Sequence, residues 1–333
     1  MKKISVSFFL RKAVLGENYS LEKYFKELFF NHRNKDFVYN LKVCPVTSTN
    51  IINRIYLIFW AYFQQGDINH ICGDINFISA LLNKKKTIIT VADNYSMIRL
   101  KGLKKILYYI FWLKLALYKC TKIISISAKT SKEILKYFPK YKKKIIKIDI
   151  CIQKLFKKKL KKIKSIPKIL IIGTAVNKNF DNSILAISKI NCEVLIIGKL
   201  DQQKLFLLKK LKIKYINYLN LSDREVYKVY CKCDILLFAS TYEGFGMPIL
   251  EAQAVGRPVI TSNIEPLTYV GGKGALYVNP VSVQSIRLAL KELISSKILR
   301  KKLIINGLDN IKRFSVQSIL KQHYDCYKVI LNH

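Results

Sequence analysis

Along the chain, short β-branched or apolar runs alternate with segments of helical period, the pattern of a parallel α/β sheet. In the first half, Lys3–Leu10, Phe37–Val43, Ile68–Cys72, Lys86–Val91 and Lys122–Ser127 read as strands, with helices predicted near 18–33, 49–65, 102–119 and 128–138. The pattern pauses over CIQKLFKKKLKKIKSIP (151–167), which is basic, aperiodic and closed by Pro167. An interdomain linker is expected there, at 156–166. The rhythm restarts with PKILIIG (167–173) and CEVLIIG (192–198), each ending in Gly, and continues with CDILLFAS (233–240) and RPVITS (257–262). Residues 282–332 read as helical, with no further strong strand. The prediction is an α/β protein of two Rossmann-like domains with a cleft between them. The expected division is 1–155, then 167–315, then a C-terminal helix over 316–333 with the option of packing back on the first domain.

Length agrees with two domains, since 333 residues exceed what one hydrophobic core usually serves. Half the residues are hydrophobic and 24% are charged, which excludes a disordered chain. The longest apolar stretch, Ile106 to Leu117, is interrupted by Lys114 and is too short to cross a bilayer. Ile4–Leu10 lacks a small-residue cleavage site and reads as a first strand rather than a signal peptide, so a cytoplasmic chain is expected. The eight cysteines are scattered without C-x-x-C spacing, which predicts buried free thiols and no zinc shell.

A net charge of +38 raises the question of nucleic acid. Only 9 of the 59 basic residues are Arg, the residue suited to bidentate phosphate and base recognition, and no recognition motif is present. A nucleic-acid partner is therefore not expected. The lysines are unevenly spread: residues 101–164 hold 21 of them against Glu133 and Asp149 alone. Beside ILYYIFWLKLALY (106–118), that leaves two readings. One is a helix lying on an anionic membrane, making the protein peripheral on the inner face of the cytoplasmic membrane; the other is a core-facing helix with a solvated basic side.

Candidate chemistry concentrates in STYEGFGMPILEAQAVGRP (240–258). In an open α/β sheet, ligands sit beyond the carboxyl ends of the strands, and this segment follows one directly. Gly244 and Gly246 thin the loop so that a ligand can approach main-chain amides, and Pro248 suits the first turn of a helix. The N–H groups and dipole of that helix start favour a phosphate. Glu243 is placed to hold sugar hydroxyls, and Glu251, one turn into the helix, to accept two hydrogen bonds from a ribose diol.

Glu243 and Glu251, separated by the seven residues GFGMPIL, resemble the paired glutamates of the group 1 retaining glycosyltransferases, which have the GT-B fold. Residues 230–280 are similar to the donor-domain core of that family almost without gaps, IGTAVNKNF (172–180) resembles its diphosphate loop, and Arg313–Ser315 its C-terminal end. FFLRKAVLGENYSLEKYF (8–25) and NHICGDINF (69–77) look like a bacterial surface-polysaccharide branch, of O-antigen or capsule type. The resemblance implies transfer of a hexose or N-acetylhexosamine from a nucleoside-diphosphate sugar to a lipid-linked or growing surface glycan. It implies that Glu243 contacts the donor sugar, that Gly244, Phe245 and Gly246 offer main-chain groups to it, and that Met247 lies near the phosphates. It matches Glu251 to the ribose-binding glutamate and Lys178 to the residue that neutralises the leaving diphosphate, with the hydroxyl of Thr174 nearby.

Two departures stand out. Thr174 occupies the place where many relatives carry Arg, and TIITVADN (87–94) has Ala92 where relatives place His before Asp93. Glu243, Lys178 and Asp93 are the catalytic candidates, Asp93 as a polar group on the acceptor side; Gly16 and His70 are the acceptor-side candidates, a structural role for His70 being the alternative. No D-x-D occurs, so no metal and no cofactor beyond the donor are expected. The rival reading, motivated by Ala92, is a non-catalytic sugar-nucleotide-binding or scaffold subunit of a polysaccharide-assembly complex.

Overall fold

The computed structural model describes residues 3–12, 20–159, 161 and 166–331. They form two compact units, residues 1–151 with 316–333, and residues 152–315.

The first unit is built on six strands: β1 (Ile4–Leu10), β2 (Phe37–Val43), β3 (Ile68–Cys72), β4 (Thr87–Val91), β5 (Lys122–Ser125) and β6 (Ile145–Lys147). They pair in parallel in the order β2-β1-β3-β4-β5-β6. INHIC and TIITV are buried along their whole length, as strands covered by helices on both faces must be. β6 was not anticipated from the sequence. It is a three-residue edge strand whose half-exposed IIK carries too little pattern to stand out.

Local chemistry sets the helix starts here. Asn50 caps Ile51–Tyr62 by accepting from the Asn53 amide at 2.8 Å, and Ser127 caps Ala128–Tyr137 by accepting from the Thr130 amide at 3.1 Å. The expected helix over 102–119 runs from Gly102 to Tyr118 but opens into a π-helix over Tyr108–Leu115.

The helix Val316–Leu331 belongs to this unit. His323 Nε2 meets the Tyr24 hydroxyl at 2.7 Å, and Tyr324 donates to or accepts from His32 Nδ1 at 2.7 Å. Tyr327 bonds His70 Nδ1 at 2.8 Å, while Thr90 Oγ1 holds His70 Nε2 at 2.8 Å. His70 and His323 are fully enclosed, and burial pushes both imidazoles down, His323 to about 3. Both are therefore neutral in the folded chain, whereas unfolded histidine takes up a proton near pH 6.5. Below that pH the unfolded state binds more protons, so stability is complete above pH 6.5 and falls as pH drops through it. Each histidine is expected to remove up to about 1.4 kcal/mol per pH unit below that point. Urea midpoints at pH 7 and pH 5 check this. A His323→Phe variant should show a shallower decline.

The second unit also has six parallel strands: β7 (Lys168–Ile172), β8 (Glu193–Ile197), β9 (Tyr215–Tyr218), β10 (Ile235–Phe238), β11 (Val259–Ser262) and β12 (Ala275–Val278), ordered β12-β11-β10-β7-β8-β9. This is the doubly wound order in which the chain reverses direction between its first and fourth strands, here β7 and β10. β9 and β12 escaped sequence reading because each is a four-residue edge strand with half-exposed positions. Segment 152–159 belongs to this unit: the Ile152 amide donates to the Phe314 carbonyl at 2.9 Å and the Lys159 amide to that of Val255 at 3.2 Å.

All eight cysteines are free thiols, seven of them buried. Burial pushes Cys120 and Cys233 up to about 12, which keeps them protonated and unreactive.

Candidate functional site

The switch point of the second unit gathers the loops after β7 and β10. After β7, Gly173 turns at φ +84°, and a Cβ there would meet Lys178 Cγ at 2.9 Å, so glycine lets the lysine fold back over the turn. Asn179 then sits in the left-handed region at φ 55°, a conformation asparagine tolerates better than most residues. It starts the helix Phe180–Ile187.

After β10, the loop reaches Gly246 at φ +118°, where a Cβ would strike Leu267 Cδ2 at 2.7 Å. The helix Met247–Val255 follows, with Pro248 in its first turn and Gly256 closing it at φ +77°. The two loops are stitched together. Asn177 Nδ2 donates to the Tyr242 carbonyl and the Thr241 amide to the Asn177 carbonyl, both at 2.9 Å. Asn179 Nδ2 donates to the carbonyls of Ala239 at 2.9 Å and Pro280 at 2.6 Å.

This scaffold brings Lys178 and Glu243 into contact, Nζ to Oε1 at 2.6 Å, although 65 residues separate them. Both are largely covered, and the ammonium also lies 5.1 Å from the centre of the Phe238 ring. Glu251 accepts a hydrogen bond of 2.7 Å from the Tyr230 hydroxyl, which also lies 3.2 Å from the Pro248 carbonyl. Tyr230 is fully buried, and burial followed by the Glu251 charge pushes its phenol well up, so it stays a donor. Thr174 donates to the Lys199 carbonyl at 2.6 Å. Gly244 is half-buried, Phe245 is buried edge-to-face on Phe314 at 5.9 Å, and Met247 opens the helix. Lys178, Thr174, Glu243 to Met247 and Glu251 thus share the carboxyl end of one sheet.

In the first unit, Asp93 follows β4 and its Oδ1 accepts from the Tyr95 amide at 2.9 Å. His70 is inside the core, with both ring nitrogens engaged and no surface to offer a ligand, which is the structural alternative for that residue. Gly16 lies outside the described residues. Tyr230, Asn177 and Asn179 were missed in the sequence. Only Asn179, beside Lys178 at the start of a helix, carried a local signal in the form of a turn-forming residue.

Residues 152–309 match the family model described as glycosyl transferases group 1. The O-antigen chain mannosyltransferase B of Escherichia coli is 31% identical over 118 residues, a stretch spanning 35% of this chain and 30% of that relative. The O-antigen chain mannosyltransferase RfbU of Salmonella typhimurium is 25% identical over 74% of each chain. The capsular polysaccharide biosynthesis glycosyltransferase CapM of Staphylococcus aureus is 24% identical over 78% of this chain and 74% of its own. Among solved structures, a glycosyltransferase from Rickettsia africae superposes with a TM-score of 0.74 at 18% identity, covering 99% of both chains. The Anabaena HepE protein, in complex with UDP and glucose, does so with a TM-score of 0.80 at 12% identity, covering 98% of this chain and 100% of its own. The fold is GT-B, and residues 152–309, within the second unit, carry the group 1 glycosyl transferase region; the chain spans less than a third of the length of the first curated relatives it matches.

Proposed function

We propose that the protein transfers a hexose, with mannose the first candidate, from a nucleoside diphosphate onto a growing or lipid-linked surface glycan, with retention and without a metal. Mannose comes first because E. coli and Salmonella relatives are mannosyltransferases; N-acetylhexosamines remain in the donor set. The observation that carries the reading is the Lys178–Glu243 pair at the β7/β10 switch point, beside the start of the helix Met247–Val255. A cation and a helix N-terminus are what a departing diphosphate needs, since they meet negative charge where it develops. Glu243 holds sugar hydroxyls, with main-chain groups of Gly244, Phe245 and Gly246 beside it and Met247 near the phosphates. Glu251, oriented by Tyr230, takes the ribose diol, and Thr174 lines the diphosphate loop. Retention follows from attack on the face the diphosphate leaves, so the protein contributes positioning and electrostatics.

A thermal-shift screen of UDP-, GDP-, ADP- and dTDP-sugars tests this, because a ligand that binds only the folded state raises its apparent stability. One family of nucleotide sugars should raise the midpoint, and Glu251→Ala should weaken that donor about tenfold or more by losing a charge-assisted bond to the ribose. An unchanged donor affinity in the variant would remove Glu251 from the site.

We further propose that the chain rests on an anionic membrane through 101–164. Leu103, Ile106, Leu107, Ile110 and Phe111 are exposed, alongside Lys101, Lys104 and Lys105, a pairing suited to shallow insertion beside acidic headgroups. Among the described residues no helix is long and apolar enough to cross a membrane. The purified chain is expected to sediment with vesicles rich in phosphatidylglycerol at low salt and to be released as salt rises. Indifference to such vesicles at low salt would refute the contact.

A further inference from the structure

The helix Ile51–Tyr62 of the first unit is apolar on both sides. From below it is fixed in the core, with Leu57 and Ala61 fully buried and Trp60 edge-to-face on Phe9 at 5.8 Å. On the outer side, Ile52, Ile55, Tyr56, Phe59, Tyr62 and Phe63 recur at three- and four-residue spacing and so form one stripe. Each of the six is between 48 and 76% exposed. Together they leave on the order of 800 Å² in water, which is what one partner contributes to an interface of ordinary size and more than monomers usually show in one apolar patch.

The charge around this face is as unusual as its apolarity. Of the chain's 59 basic residues, only Arg54 falls between residues 43 and 83, and Asp67 and Asp74 are the acids there. Arg54 is turned aside: its Nε donates to the Ser48 carbonyl at 2.9 Å, and its guanidinium lies 4.7 Å from the centre of the Trp112 ring. Both ends of the helix are bordered by neutral polar residues, Thr, Ser and Asn over 47–50 and Gln at 64 and 65. An apolar centre rich in aromatics, poor in charge and rimmed by neutral polar groups has the composition of a protein–protein interface. A helix that settles on an anionic membrane carries Lys or Arg along its border, and this one has only the deflected Arg54. An acidic partner would be drawn to the lysines elsewhere on the chain. The partner that needs a charge-free place to land is one that carries the same +38.

We infer that the helix Ile51–Tyr62 joins two copies of this chain. The contact is isologous, with the two helices antiparallel about a two-fold axis. Tyr56 and Phe59, in the middle of the stripe, then meet their counterparts, and Ile52 of one copy faces Tyr62 and Phe63 of its partner. The inference does not depend on the transfer reaction. It also concerns a different face from the lysine-rich 101–119, which adjoins this one where Arg54 meets Trp112.

Sedimentation velocity on the full chain across micromolar concentrations tests it. A dimer is expected, and it should tighten several-fold as salt rises from about 0.05 to 0.3 M, because salt screens the repulsion between two strongly basic chains. Adhesion of lysines to an anionic surface has the opposite salt dependence. Phe59→Glu should weaken the dimer about tenfold or more, since it buries unpaired carboxylates at the centre of the contact. Its circular-dichroism spectrum should match the parent's, because Phe59 is exposed in the single chain. Ile298→Glu, at an exposed apolar position of the second unit, should leave the dimer intact. A chain that is monomeric at every salt concentration, a dimer that survives Phe59→Glu, or one lost equally in Ile298→Glu overturns the inference. A monomer that floats with phosphatidylcholine vesicles, and no longer does so in Phe59→Glu, assigns the face to lipid and overturns it as well. Nucleotide-sugar thermal shifts are unaffected by any of these outcomes, so the dimer and the donor reading fail separately.

Discussion

Lys178→Ala is expected to lower the rate of sugar transfer by about 10²–10³, the usual cost of removing one preorganised group from developing charge. The ammonium is neutralised by Glu243 at 2.6 Å, so under the proposed function a donor diphosphate has to draw Lys178 away from that carboxylate. The same movement frees Glu243 for the hydroxyls of the sugar. Two linked outcomes follow. Glu243→Gln should bind the bare nucleoside diphosphate at least as tightly as the parent, because Lys178 no longer has an anionic competitor, while transfer collapses. Lys178→Ala should lose both affinity for the diphosphate and transfer. Steady-state rates with calorimetric titration of the nucleoside diphosphate check both. If the pair only held the two loops together, both variants would lower the melting point, and the folded fraction would keep its rate and its diphosphate affinity.

Arg257→Leu is expected to destabilise the second unit by about 3 kcal/mol, because it removes at once all the hydrogen bonds that a buried guanidinium makes to several carbonyls. Arg257 is buried, and its guanidinium donates to the carbonyls of Tyr230 at 3.0 Å, Lys159 at 2.9 Å and Cys231 at 3.1 Å. Tyr230 and Cys231 lie in the last turn of the helix Asp223–Lys232, whose carbonyls have no partners within the helix. The cation also sits at the negative end of that dipole. Leucine fills similar volume but donates nothing. For a unit of this size the loss corresponds to a melting point about 6–12 °C lower. Differential scanning calorimetry measures it, and Arg257→Lys should recover part of the loss, since an ammonium reaches fewer carbonyls than a guanidinium fork. The effect should reach the site, because the same helix carries Tyr230, which orients Glu251.

The sequence by itself determined the α/β class, most of the inner strands, and the loop of the second unit that carries the chemistry. These are local properties. Runs such as KILII and TIITV announce strands buried on both faces, and Gly246, Pro248 and Gly256 announce a helix between two tight turns through backbone chemistry alone. Only the tertiary structure decided who meets whom. Spacing within the chain says nothing of Lys178 finding Glu243, or of Tyr230 reaching back to Glu251, because those partners are set by the order in which strands lie side by side. His70 looked equally fit for a ligand or a core, and the return of Tyr327 from the far end of the chain turned it inward. β6, β9 and β12 stayed hidden because edge strands are covered on fewer sides and need not be apolar throughout.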